Sequence, residues 1–566
     1  MSGVKKQLNL RKENREVFDW SPLPARKKLG EVPKIDNQSK DLYPNCDVNV
    51  WLRSCDEEVT EPILGKVTGE IPKWLEGSLY RNGPGSIKVG SEEFGHLFDG
   101  SAHIHRFIIN SGNVKYQCRF LRSDVYKRNV EANCIVATEF GTKSVADPCN
   151  SIFKRVTSLF KPEKMMSDNA MISIYPFGKD LYAFGESPVI HRIDTDNLDS
   201  LGKVNVYERI GLISQSSHPH IESDGSVYNL GMVVGTSGPV HNIVRYPIGS
   251  SSEEMFDNAK VVASLPARWM LHPSYMHTFG ITENYFVIVE QPLSLSLPSM
   301  VKCTLKNDPL VGSFSWYGEE MTQINLICRK TGRCVRKFFA ESFFYLHIIN
   351  QYEDAEDETV VLDVCGYRDP AMIDCMYIDA MRNMQKNPDY AKMFRGRPLR
   401  FILPMLMTDE KVGKAGAEIS DDGEICVKPL KLCDLGCETP RINYERHLGR
   451  KYRYFYAISS DVDADNPGTI IKVDTCMRNC KTWCEPNCYP SEPIFIANPD
   501  CKDEDDGIVV SSMIWGGEDT NTVGILILDA KTFSEITRAV FTTPSAVPKC
   551  LHGWFQPLQT HKQIIT

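Results

Sequence analysis

From about Leu64 to its last few residues the chain reads as one strand after another, and this limits its fold more than any other feature. β-Branched and aromatic runs alternate with short turn signals, as in YPFGKDLYAFGE, SDGSVYNLGMV, FGITENYFVIVEQP and DDGIVVSSMIWGGEDTNTVGILILDAKTFSEITRAVF. Asp-Gly, Gly-Lys-Asp and Glu-Asn steps close the hairpins, because these residues accept the backbone that tight turns demand. GHLFDGSAHIHRFIINSGNVKYQCRFL predicts a hairpin turned at Ser111–Gly112. Strands at this density in 566 residues build either a propeller, which grows by adding blades to one body, or a pair of sandwiches. No exact repeat chooses between them.

Helix is scarce. Ala371 to Lys386 predicts one, with Ile373, Met376, Tyr377, Ala380 and Met384 on one face, Asp369–Pro370 before it and Pro388 after it. Its Met-rich face suits the core or the wall of an apolar cavity. Residues 149–164, CNSIFKRVTSLFKPEK, carry an apolar stripe of Ile152, Phe153, Val156, Leu159 and Phe160 beside Lys154, Arg155, Lys161 and Lys164. That pattern fits a segment lying in a membrane surface and equally a helix docked on its own body.

Composition closes off other classes. A net charge of −9 gives no basic field for nucleic acid. No apolar run approaches the roughly 18–20 residues of a spanning helix. Residues 1–39 are polar and basic, with no apolar core of a secretory signal, and read as a flexible segment before a single body over 40–566. The expected location is therefore cytoplasmic. The 19 cysteines are odd in number and scattered, which fits reduced thiols. Cys476, Cys480, Cys484 and Cys488 are spaced evenly; free thiols in a loop are the default reading and zinc the alternative.

Four histidines lie in apolar, strand-like surroundings far apart in sequence: His218 in SSHPHIE, His277 in PSYMHTFG, His347 in FFYLHIINQYED and His552 in PKCLHGWF. Each suits a core histidine or a metal ligand, and the residues alone leave His220 and His272 open as well. Three glutamates sit in apolar or Pro-bounded contexts: Glu186 in YAFGESPVIH, Glu438 in GCETPRINYE and Glu492 in YPSEPIFIANPD. A buried carboxylate needs a partner. A ligand imidazole is one, and an arginine such as Arg192 or Arg441 is another.

FGHLFDGSAHIHRF, TEFGT with DPCNSIF, SSHPHIESDGSVYNLG, PSYMHTFG, HIINQYED, YPSEPIF and LHGWF resemble, in collinear order, the carotenoid cleavage oxygenases. The match runs from about Gly65 to Phe555. The resemblance implies an all-β fold: a seven-bladed propeller with a dome of loops and helices over its metal-bearing top face. It implies Fe2+ on the propeller axis, held by His218, His277, His347 and His552, with O2 as co-substrate. Many relatives have two adjacent histidines where this chain has His347–Ile348, and alignment on the following NQYED places the ligand at His347. Glu186, Glu438 and Glu492 match carboxylates that each accept a hydrogen bond from one ligand, and His218 is expected to lack such a partner. Four neutral imidazoles leave the ion its full double charge, and an O2-dependent reaction favours iron over redox-inert zinc.

The same resemblance implies a carotenoid substrate in an apolar tunnel reached from an intracellular membrane, to which the protein is peripherally attached. Ala146-Asp147-Pro148-Cys149-Asn150 departs from the family's Pro-Asp-Pro-Cys-Lys element at both ends. Loop wording and the Cys-rich insert are most similar to insect members, which implies cleavage of the central 15,15′ bond with isomerisation of one half to the 11-cis form, supplying visual chromophore. Cleavage without isomerisation, eccentric 9′,10′ cleavage, retinyl ester isomerohydrolysis and non-catalytic carotenoid binding are the alternatives.

Overall fold

Ser111 and Gly112 both take positive φ, 49° and 73°, and join strands Ser101–Asn110 and Asn113–Phe120 by a two-residue loop of the kind that matches strand twist. Gly178 at φ 60° does the same between Ser173–Phe177 and Asp180–Phe184. Hairpins of this sort repeat along the computed structural model, which describes residues 41–558 apart from 146–166, 407, 409–411 and 414. Seven of the sheets they form have four to six strands, antiparallel except where Phe339 pairs with Cys426, and each is a blade of a propeller.

The order of strands shows how the ring closes. Blade 1 is built from Gly77–Ser86, Ser101–Asn110 and Asn113–Phe120, and the last strand of the chain, His552–Pro557, pairs with Gly77–Ser86 as its inner edge. Blade 7, over residues 488–542, takes an early strand, Lys66–Gly69, as its outer edge. Both ends of the chain thus cross the same seam.

Apolar residues occupy both faces of the strands because both faces are covered. In Tyr454–Ser459 of blade 6, Phe455 and Ala457 pack toward blade 5, while Tyr456 and Ile458 pack toward blade 7. In Tyr285–Glu290 of blade 4, Phe286 and Ile288 face blade 3, and Val287 and Val289 face blade 5. The period of two splits each strand between two interfaces. Every adjacent pair of blades has its own buried cluster, including Leu79, Phe107, Val510 and Phe541 across the seam. The core is a ring of seven slabs, which leaves the axis free for polar groups.

Residues 371–386 differ from the single helix that periodicity predicts. Two short helices, Ala371–Cys375 and Ile378–Arg382, and a 3-10 turn, Met384–Lys386, occupy the stretch. The break has a tertiary cause: Leu97 N donates to Met376 O, and Ile378 N donates to Gly95 O, both at 2.9 Å. Pairing with residues 95–97 pulls the backbone at Met376–Tyr377 out of helical geometry. No helix among the described residues is long and apolar enough to cross a membrane. The segment 1–39 and the stripe at 149–164 lie outside the described residues.

Candidate metal centre

Each blade contributes one chemically active residue to the axis. His218, His277, His347 and His552 come from blades 3, 4, 5 and 1; Glu186, Glu438 and Glu492 come from blades 2, 6 and 7. The histidines sit where inner strands lose regular pairing. His218 falls between the strand pieces Ser214–Gln215 and His220–Ile221. His277 precedes Gly280–Ile281. His347 lies in a register break between Tyr345 and Ile348, and His552 opens the closing strand. A broken ladder frees the side chain to turn inward from the strand.

All four rings are buried and gather about one point. The His218 ring centroid lies 4.7 Å from that of His277, 5.1 Å from His347 and 4.6 Å from His552. His347 stands 5.1 Å from His277 and 5.0 Å from His552. Nε2 of His218 and Nε2 of His277 face each other at 3.1 Å, and Nε2 of His347 is buried with no hydrogen-bond partner. Ligand nitrogens of His218, His277 and His347 lie within 4.8 Å of one another. Inward-facing lone pairs at this spacing repel unless a cation stands among them, so the residues present fit a metal ion.

The outer nitrogens are tied differently. His277 Nδ1 lies 2.6 Å from Glu186 Oε1, His347 Nδ1 2.5 Å from Glu438 Oε2, and His552 Nδ1 2.8 Å from Glu492 Oε1. Among the described residues no carboxylate pairs with His218. Tyr275 donates to Glu186 at 2.7 Å and Tyr367 to Glu438 at 2.8 Å. Burial and then the adjacent carboxylate raise both phenols well above their usual range, so they remain donors. Glu492 instead meets two guanidiniums: Arg81 at 3.0 Å and Arg441 at 2.8 Å. Gly553 N also donates to it at 2.9 Å.

Electrostatics follow from these partners. Burial alone would raise the Glu492 carboxyl, but Arg441, His552 and Arg81 outweigh it and hold it well below the usual range. At Glu438 burial is likewise outweighed, here by His347, Tyr367 and the Thr439 amide. Burial, reinforced by the other three imidazoles, holds His218 well below its ordinary value, and burial lowers His552 to about 4. Neutral imidazole is the form that binds a metal.

The residues left open in the sequence part company here. His220 points elsewhere, with Nε2 2.8 Å from Phe279 O and Nδ1 3.1 Å from the Tyr444 hydroxyl. His272 pairs with the Tyr317 hydroxyl. Arg192 pairs with Asp180, not Glu186, whereas Arg441 does pair with Glu492. Tyr275, Tyr367 and Arg81 were not singled out by sequence; only PSYMHTFG, where Tyr275 stands two residues before His277, carried a signal. Cys476, Cys480, Cys484 and Cys488 are free thiols that form no ligand group.

A cavity of about 1920 Å3 opens onto His277, His347 and His552. Phe140, Tyr275, Phe314, Met372, Ile373 and Met376 are among its walls. Two methionines of the broken 371–386 stretch therefore line it, while Met381 and Met384 are core. A drug-sized ligand typically fills about 300–1,000 Å3, so this space suits a much longer molecule.

The model of the family described as retinal pigment epithelial membrane protein matches residues 52–557. A carotenoid isomerooxygenase of Galleria mellonella is 55% identical over 92% of this chain and 98% of its own. One of Drosophila melanogaster is 46% identical over 93% and 96%. The β,β-carotene 15,15′-dioxygenase of Gallus gallus is 36% identical over 88% and 97%. A solved mutant of the Synechocystis apocarotenoid oxygenase, at 20% identity, shares the fold with a TM-score of 0.71 over 91% of this chain and 100% of that one.

Proposed function

This chain belongs to the retinal pigment epithelial membrane protein family, the carotenoid oxygenases, and from that premise we propose that it is an iron-dependent carotenoid isomerooxygenase. It cleaves a carotenoid at the central 15,15′ double bond into two retinal-type aldehydes and isomerises one half, which suits supply of a visual chromophore. The observation that carries this reading is four converging imidazoles, three of which, His277, His347 and His552, line a large, mainly apolar cavity.

His218, His277, His347 and His552 would hold Fe2+, which when bound supplies O2 activation. Glu186, Glu438 and Glu492 fix the rings of His277, His347 and His552 and make them more basic donors. Phe140, Phe314, Met372 and Met376 present an apolar wall that holds a polyene by burying it from water. The same wall keeps bulk water from the cleavage site, so that the substrate meets O2 rather than solvent. Tyr275 and Tyr367 keep their protons and anchor Glu186 and Glu438, Tyr275 from the cavity wall.

The protein attaches to a membrane surface, from which so insoluble a substrate is drawn. Helix Leu297–Lys306 has no buried residue; Val301 and Leu305 on it are 56% and 76% exposed, and both line the cavity mouth. Met270 and Leu271 beside it are also exposed. These residues make an apolar rim that suits lipid, and the stripe Cys149, Ile152, Phe153, Val156, Leu159 and Phe160 has the same apolar character in sequence.

The test is product analysis. Iron-loaded protein is given β-carotene and zeaxanthin in detergent, under air and under argon, and the aldehydes are resolved by length and isomer. Equal 11-cis and all-trans C20 aldehydes, formed only in air, are expected. All-trans product alone would remove isomerisation, and no oxygen-dependent product would overturn the reading.

A further inference from the structure

A second cluster of ligand-type side chains lies away from the axis. Cys55, His103 and Cys118 are 6%, 0% and 3% exposed, and their Sγ and ring nitrogen atoms lie within 4.8 Å of one another. Its geometry comes from the Ser111–Gly112 hairpin. That turn pairs His103 with Phe120 and His105 with Cys118, so His103 and Cys118 are diagonal neighbours on one face of blade 1. Cys55 arrives from the strap that precedes the blades, fixed by its own N–H, which donates to Gly85 O at 2.8 Å.

His103 is the telling residue. It is fully buried, and neither ring nitrogen has a well-formed hydrogen bond, the Cys55 thiol being the one polar side chain near enough to interact with it. A buried imidazole left so is costly, because it has given up its bonds to water and gained none in return. His105 beside it does find a partner, the Tyr116 hydroxyl at 2.8 Å. Two sulfurs lie within reach of a His103 ring nitrogen.

We infer that Cys55, His103 and Cys118 bind a Zn2+ ion that pins the N-terminal strap to blade 1. Zinc takes thiolate at about 2.3 Å and imidazole at about 2.0–2.1 Å in a tetrahedron, so its ligand atoms stand about 3.5–3.8 Å apart, and the three atoms here all lie within 4.8 Å of one another. The charges also match. Two thiolates and a neutral imidazole carry two negative charges, which a divalent ion cancels, whereas monovalent copper would leave one charge buried. Binding releases the two thiol protons to solvent. A water molecule would take the fourth position, beside the Ser545 hydroxyl 3.5 Å from Cys55 Sγ.

The location gives the ion a task. Cys55 precedes the first strand of the ring, and Ser545 precedes the last strand, His552–Pro557. Ser545 already accepts from Glu57 N at 3.0 Å and donates to Glu57 O at 2.9 Å. Zinc there fastens both chain ends at the seam where the propeller closes, independently of the iron centre.

Metal analysis of full-length, iron-loaded protein tests this. Wild type should carry about one equivalent of zinc beyond its iron, and Cys118→Ser and His103→Leu should carry none. His347→Ala should lose iron and keep zinc. Chelator-stripped wild type titrated with Co2+ alone should develop a thiolate-to-cobalt charge-transfer band that Cys118→Ser lacks. Wild type that binds neither zinc nor cobalt with thiolate character would overturn the site, as would a Cys55–Cys118 disulfide in a non-reducing peptide map.

Discussion

His347–Glu438 and His552–Glu492 are the same pair of groups in the same geometry, yet they are built into the molecule differently. Glu438 takes its other hydrogen bonds from a tyrosine and an amide. Glu492 is clasped by Arg81 of blade 1 and Arg441 of blade 6, and so ties three blades at the seam. The first carboxylate serves the imidazole it holds. The second also neutralises two buried cations, and much of its charge is already committed before His552 draws on it. One motif thus supports two functions, orientation of a ligand and closure of a ring, and the neighbours decide the balance.

The largest expected effect separates these functions. Glu492→Gln leaves two guanidiniums buried without a carboxylate, which should cost about 3–5 kcal/mol in urea unfolding. Its contribution to stability has a pH window. The carboxyl is held low in the fold, so stability is present above the ordinary carboxylate range and lost as pH falls through and below it. The acid limb of wild-type stability should therefore flatten in Glu492→Gln. Glu438→Gln should instead unfold close to wild type while iron affinity falls about 10–100-fold, measured by competition with a chelator. Equal unfolding losses in both variants would break the comparison.

Tyr275→Phe is a gentler probe. It removes the hydroxyl that holds Glu186, a bond worth about 1 kcal/mol, and should lower cleavage several-fold with iron content intact. The smallest effect is expected at His220→Ala, whose imidazole bonds only Phe279 O and Tyr444; iron content should not change.

Local signals carried much of this architecture into the sequence. The Ser111–Gly112 and Gly178–Lys179 turns stand where their residue types place them, because a two-residue hairpin depends on its own backbone alone. The break at Met376–Tyr377 was hidden, because its cause is pairing with residues 95–97 almost 280 positions away. The histidines and glutamates drew notice for their apolar contexts, but their convergence depends on seven blades closing, which no spacing encodes. Arg81 at Glu492 was invisible for the same reason. His103 and Cys118 were readable in principle, since the hairpin turn sets their register, but Cys55 reaches them only through the strap.

If the converging imidazoles hold the iron on which cleavage depends, iron and activity are lost together. Iron content and oxygen-dependent aldehyde formation, measured together on purified His347→Ala and on wild type, test it most directly. The account predicts about one iron in wild type, and loss of both iron and aldehyde in His347→Ala with the fold intact by circular dichroism. A folded His347→Ala protein that keeps its iron and its aldehyde yield would contradict it.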